Sequence, residues 1–174
     1  MKRKILLFAP LAFILPACSV PMNTAEFRQA AKSNAMLLTT ESFEVNRPYG
    51  EVARAFREKA PECLSFKLGS ATRNMLGGTS NPVYYAEAMQ TVQVSNDKTE
   101  LSFQVKYKNT LTSEPEGGSY HLVADAYRVG KNRTRVDVYR RTKVELLVEA
   151  LKGWASGENP GCPDPAVFLS EQRF

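Results

Sequence analysis

Histidine and cysteine are scarce in this 174-residue chain: one of the first and three of the second, beside a single tryptophan. So thin a supply leaves little material for a metal site or a nucleophilic triad. There is no internal repeat and no low-complexity segment. No apolar run is long enough to span a bilayer, which takes roughly 20 residues; Ile5 to Leu15 runs for eleven. What is present is ordinary for a globular protein. Apolar residues make up 43% and charged residues 24%, which argues against a mostly disordered chain. A single domain is the expectation at this length, burying around two-thirds of its unfolded surface.

The short apolar run carries an address. Lys2, Arg3 and Lys4 precede it, giving the charged start and apolar middle of a signal peptide. It ends in Leu15-Pro16-Ala17-Cys18, and here the chain resembles the bacterial lipoproteins. Their lipobox has Leu at −3, a small residue at −1 and an invariant Cys at +1; Pro16 is a less usual choice at −2. The resemblance implies removal of residues 1–17, a thioether-linked diacylglycerol on Cys18, and often a third acyl chain on the new amine. Ser19 in place of Asp after the Cys implies, in Gram-negative members, release to the periplasmic side of the outer membrane. The other reading is an ordinary secretory signal cut at Ala17 with an incidental Cys.

Cleavage weakens the basic character. Three of the 23 Lys+Arg leave with the signal, so 20 remain against 18 Asp+Glu, a net +2. Nucleic acid is therefore not expected as a partner. With Cys18 acylated, Cys63 and Cys162 are left, an even number in an oxidising compartment. A disulfide closing 99 residues is expected, for which the chain-entropy model gives about 4.7 kcal/mol. Two free buried thiols are the alternative.

Residues 18–40 read as a lipidated tether. Within it Asn23-Thr24-Ala25-Glu26 resembles a capping box, opening either a short helix with Phe27, Ala30 and Ala31 on one side or a partly ordered arm. The domain, 41–174, starts with a strand at Phe43 and Val45. Tyr49, Val52, Ala53 and Phe56 follow at helical spacing, until Pro61 ends or bends the helix. After Leu64, Phe66 and Leu68 comes a long loop, Gly69 to Pro82. Strand signal then dominates: Val83 to Val94, Leu101 to Tyr107, Tyr120 to Val129 and Arg133 to Arg141, divided by evenly placed turns. A second capping box, Thr142-Lys143-Val144-Glu145, opens a helix striped by Val144, Leu147, Val148, Leu151 and Trp154, and Gly157 closes it.

The order β-α-β(4–5)-α predicts an α+β fold: four to six antiparallel strands, one face wet, the other packed on two helices. It looks like the helix-grip or TBP-like modules of small envelope lipoproteins. Trp154-Ala155-Ser156-Gly157 with Cys162-Pro163-Asp164 is similar to the closing motif of an uncharacterised family of small proteobacterial lipoproteins, which brings no activity with it.

Few residues offer chemistry. His121 and Asp125 share a strand face but lie about 13 Å apart along it. Ser119 lacks a nucleophile elbow, Glu114 and Glu116 are turn residues, and Gly77-Gly78 lacks the Lys of a phosphate loop. Trp154 as a glycan platform competes with its place in the helix stripe. Arg133, Arg135 and Arg141, on one parity of the last strand, form a candidate anionic-ligand surface, or else a solvated strand whose charges discourage aggregation. The reading is a non-catalytic interaction or structural lipoprotein, needing no cofactor and no metal. It meets the membrane through Cys18 and bears on an envelope protein or anionic lipid. A module binding lipid, lipopolysaccharide or a cell-wall fragment is the alternative.

Overall fold

The computed structural model describes residues 20–70, 83–108 and 114–165. Cys18, the signal segment and most of the Gly69 to Pro82 loop therefore lie outside the described residues. Among the described residues no helix is long and apolar enough to cross a membrane.

Helix α1 (Thr24–Lys32) leads through a short 3-10 turn (Ala35–Leu37) into β1 (Leu38–Val45). Helix α2 (Tyr49–Leu64) follows, then β2 (Phe66–Ser70), β3 (Val83–Val94), β4 (Lys98–Tyr107), β5 (Ser119–Gly130) and β6 (Arg133–Arg141), and α3 (Glu145–Ser156) closes the chain. The strands form one antiparallel sheet in the order β1-β6-β5-β4-β3-β2. The class is α+β, as the alternation of apolar residues predicts. β3 to β6 are a meander of hairpins, and β1 returns to pair with the last of them.

Helices α2 and α3 cover one face. Val52, Phe56, Ala60 and Leu64 of α2 and Leu147, Val148, Leu151 and Trp154 of α3 pack against Leu101, Phe103, Val105, Leu122, Ala124, Val136 and Val138 of the sheet. Alternation is the cause: these positions share one parity of their strands. Arg47 ties the two helices together, donating to the last-turn carbonyls of Trp154 and Ala155 at 3.1 Å each. A cation there satisfies orphan acceptors and the helix dipole together.

Three local expectations need correction. Pro61 does not end α2, which continues to Leu64. It stands in the last turn, where one backbone bond is lost, and burial of Cys63 and Leu64 holds the helix to its end. The box at Thr142 does not form, because α3 starts at Glu145 with no side-chain cap and Glu145 accepts from Arg140 at 3.3 Å. The sheet, finally, has no fully wet face. Helix α1 lies on the second face, burying Phe27 and Ala31 against Leu38, Val123 and Tyr139. Residues 20–40 thus belong to the folded unit, β1 begins at Leu38, and even Pro21 is buried. The Asn23 cap does form, accepting from the Glu26 N–H at 2.9 Å.

After α3, Gly157 adopts φ 90° and the N–H groups of Gly157 and Glu158 return to the carbonyls of Trp154 and Gly153, the Schellman arrangement. The tail doubles back so closely that a Cβ on Gly153 would lie 2.7 Å from Pro160. It then reaches Cys63, where Cys162 is bonded with a Cα separation of 4.9 Å, inside the range a disulfide spans.

The α1 contact is the most exacting of these. Arg28→Ala is expected to cost about 3 kcal/mol, because it strips the main cation from a buried carboxylate. Arg28→Lys should recover only part, since an ammonium cannot reproduce the two-pronged grip of the guanidinium on Asp125. Urea unfolding of both variants measures this.

Candidate functional site

Asp125 stands in the middle of β5, in the run Val123-Ala124-Asp125-Ala126, and its side chain is 1% exposed. A carboxylate so placed is costly unless paired and hydrogen-bonded. Arg28 reaches down from α1 and grips it with two bonds of 2.7 Å, Nε to Oδ2 and Nη2 to Oδ1. The same guanidinium contacts Glu100 on the neighbouring strand and donates to Thr24 Oγ1 at 3.2 Å. Lys98 adds a third cationic contact at 3.1 Å, and the Tyr127 hydroxyl donates to Asp125 at 3.2 Å. Burial pulls the Glu100 carboxyl upward, but the bonds from Arg28 and Thr24 outweigh it and hold it below its usual range. Burial, and then the Asp125 charge, push the Tyr127 hydroxyl up to about 12. The carboxylates of the cluster have internal partners, and these contacts hold α1 in place.

Beside it lies Asp137 of β6, directly across from Asp125. Burial raises its carboxyl, yet Arg135 and Ser42, donating at 2.7 Å each, win and hold it low. These contacts decide the fate of the proposed cationic row. Arg133 and Arg135 are exposed as expected, but each has an acid: Glu44 at 3.4 Å for Arg133, and Asp137 for Arg135. Arg141 does not join them. It is half-buried at the other end of β6, its Nε donating to the Tyr120 carbonyl at 3.1 Å, and burial lowers its pKa. Between it and Arg135, on the same face, stand Asp137 and Tyr139, with Arg28 and Lys32 of α1 over the Tyr139 ring. A continuous row would need that face bare.

His121 is no partner of Asp125. The β4–β5 ladder shifts between Phe103–Leu122 and Gln104–Tyr120, making His121 the extra residue of a bulge. It is buried edge-on to Phe103, with ring centroids 6.2 Å apart. Trp154 is equally enclosed, 1% exposed, and offers no sugar platform. Among the described residues no three His, Cys, Asp or Glu side chains gather as a metal would need. Among the described residues, one apolar void in the helix–sheet crevice, lined by Leu64, Phe66, Phe103, Leu147, Pro163 and Pro165, measures about 10 Å³.

The α1 cluster escaped the sequence reading, although one signal was available. A charged residue inside an apolar strand run demands a partner, and Arg28 follows Phe27 on the preceding helix.

No family model matches this chain, and no curated protein matches it. Among solved structures, a hypothetical protein from Helicobacter pylori is similar over 98% of this chain and 96% of its own, at 10% identity and a TM-score of 0.31.

The buried histidine sets a pH dependence. Burial first, and the Arg141 cation second, push its pKa down to about 3, against about 6.5 in an unfolded chain. Only the unfolded chain therefore takes up the proton between these values. Stability is full above about 6.5 and falls with pH below it, by at most about 1.4 kcal/mol per unit. Urea titrations should show a loss of about 2 kcal/mol from pH 7 to pH 5. In His121→Gln that slope should vanish, whatever its absolute stability.

Proposed function

We propose that this chain is a non-catalytic lipoprotein, anchored through Cys18 to the periplasmic face of the outer membrane, where it serves as an interaction or structural module. The lipobox-like Leu15-Pro16-Ala17-Cys18 supports the anchor. The observation that favours an interaction role over enclosed ligand binding is the small size, about 10 Å³, of the void described between the sheet and α2–α3; a ligand pocket is typically several hundred Å³. We read the fold more finely as a helix-grip or TBP-like module of the uncharacterised proteobacterial kind that Trp154 to Gly157 and Cys162 to Asp164 suggest. The anchor has a plain test. Cys18→Ala should move the protein from the membrane fraction to the soluble periplasm, and mass spectrometry of the native chain should find acyl chains on Cys18. An unmodified Cys18 thiol in the mature protein overturns the reading.

A second reading, contact with anionic lipid or lipopolysaccharide, keeps support from the exposed pair Arg133 and Arg135 beside Lys131. Both arginines already serve acids, so charge reversal would disturb the sheet, and neutral variants probe the surface more cleanly. Arg133→Gln with Arg135→Gln should weaken binding to anionic vesicles about thirtyfold at low salt, roughly 1 kcal/mol per charge, and the loss should shrink as salt rises. Unchanged binding would assign both residues to solvation.

A further inference from the structure

Strand β3 is twelve residues long, but β2 pairs only with Val83 to Ala88. Among the described residues nothing pairs with the far side of 89–94, so the sheet has three free margins: β1, β2 and this stretch. Their chemistry differs. β1 carries Glu41 and Glu44, ion-paired with Arg140, Lys152 and Arg133. β2 carries Lys67 and an irregularity at Leu68–Gly69. Charges and bulges of this kind keep an edge from pairing with another chain. Met89-Gln90-Thr91-Val92-Gln93-Val94 has neither charge, proline nor glycine, and Met89 and Val94 are each 45% exposed.

The backbone direction is fixed. Lys108 donates its N–H to the Tyr85 carbonyl at 3.0 Å, and Ser95 donates to Lys98 at 2.8 Å. Odd-numbered residues of β3 therefore address β4, and by alternation Gln90, Val92 and Val94 turn their N–H and C=O groups to the open side.

We propose that two copies of this chain pair through this edge, antiparallel, about a two-fold axis at Val92. In that register Val92 meets Val92 of the second copy, Gln90 meets Val94 and Thr91 meets Gln93. Residues of equal parity face each other, so helix-covered face continues into helix-covered face. The pairs at Gln90, Val92 and Val94 each exchange two backbone bonds. The segment is its own complement: no like charges meet, and the contact is isologous and closed. The register also ends where the fold requires. Opposite Met89 comes Ser95 of the second copy, where β3 gives way to its turn, so that strand stops short of Phe66 at the start of β2. The pairing does not depend on the lipid on Cys18, although tethering to one leaflet would raise the encounter frequency.

Light scattering of the mature chain in mild detergent, over a dilution series, should give twice the chain mass at the concentrated end. Thr91→Lys with Gln93→Lys sets ammonium groups opposite each other across the axis and should weaken the dimer at least about tenfold, with the melting temperature of the monomer preserved. Val92→Cys should oxidise to a dimer whose linked peptides map to 92 and 92. A monomer throughout the series overturns the proposal, even if the edge accepts an extended peptide from another protein. A dimer that tolerates both lysines and yields no 92–92 link overturns it as well, by assigning the contact to another surface.

Discussion

A carboxylate in the middle of a sheet obliges the rest of the molecule to answer it. Asp125 lies on the central strand β5, on the face turned away from α2 and α3, and is almost fully enclosed. Arg28, Lys98 and Tyr127 converge on it, and Arg28 can do so only from a helix laid across that face. Docking α1 then buries Phe27 and Ala31 against Val123, Leu38 and Tyr139. The ion pair supplies position and the apolar contacts supply favourable free energy, since a buried salt bridge by itself stabilises little. One residue thus accounts for why β5 is buried on both faces and why the sheet carries helices on both sides.

The parts of this fold legible in the sequence are those governed by period. Leu101, Phe103 and Val105 alternate because one face of β4 is core, and Val52, Ala53 and Phe56 recur at helical spacing for the same reason. Cys63 and Cys162 were legible by subtraction, and they do meet. What was illegible depends on contacts far apart in the chain. Arg28 and Asp125 are 97 residues apart, and no local pattern couples them. The capping pattern at Thr142 was a local signal overridden by a tertiary one, because Arg140 draws Glu145 to itself. Parity correctly put Arg133, Arg135 and Arg141 on one face, but parity says nothing of what lies over that face. With α1 over Tyr139 the face is interrupted; Arg141 is a half-buried donor to the Tyr120 carbonyl, while the other two stay in solvent with acids of their own.

The packed arm also alters what a lipid on Cys18 would mean. Instead of a tether of some twenty residues, the chain from Pro21 onward is part of the fold, leaving only Ser19 and Val20 between anchor and domain. At no more than about 3.6 Å per residue, that spacer cannot let the domain roam. An acylated Cys18 would hold the sheet's α1-bearing side near the leaflet and restrict its tilt. Any pull from the anchor would enter α1 and pass through Arg28 and Phe27 into the central strands. With such an anchor, the margins of the sheet, the outer stretch of β3 among them, would be restrained relative to the membrane plane. Restrained copies on one surface lose less rotational freedom on meeting than free ones, so a short, uncharged edge such as Gln90 to Val94 needs fewer contacts to hold a neighbour there than it would in solution.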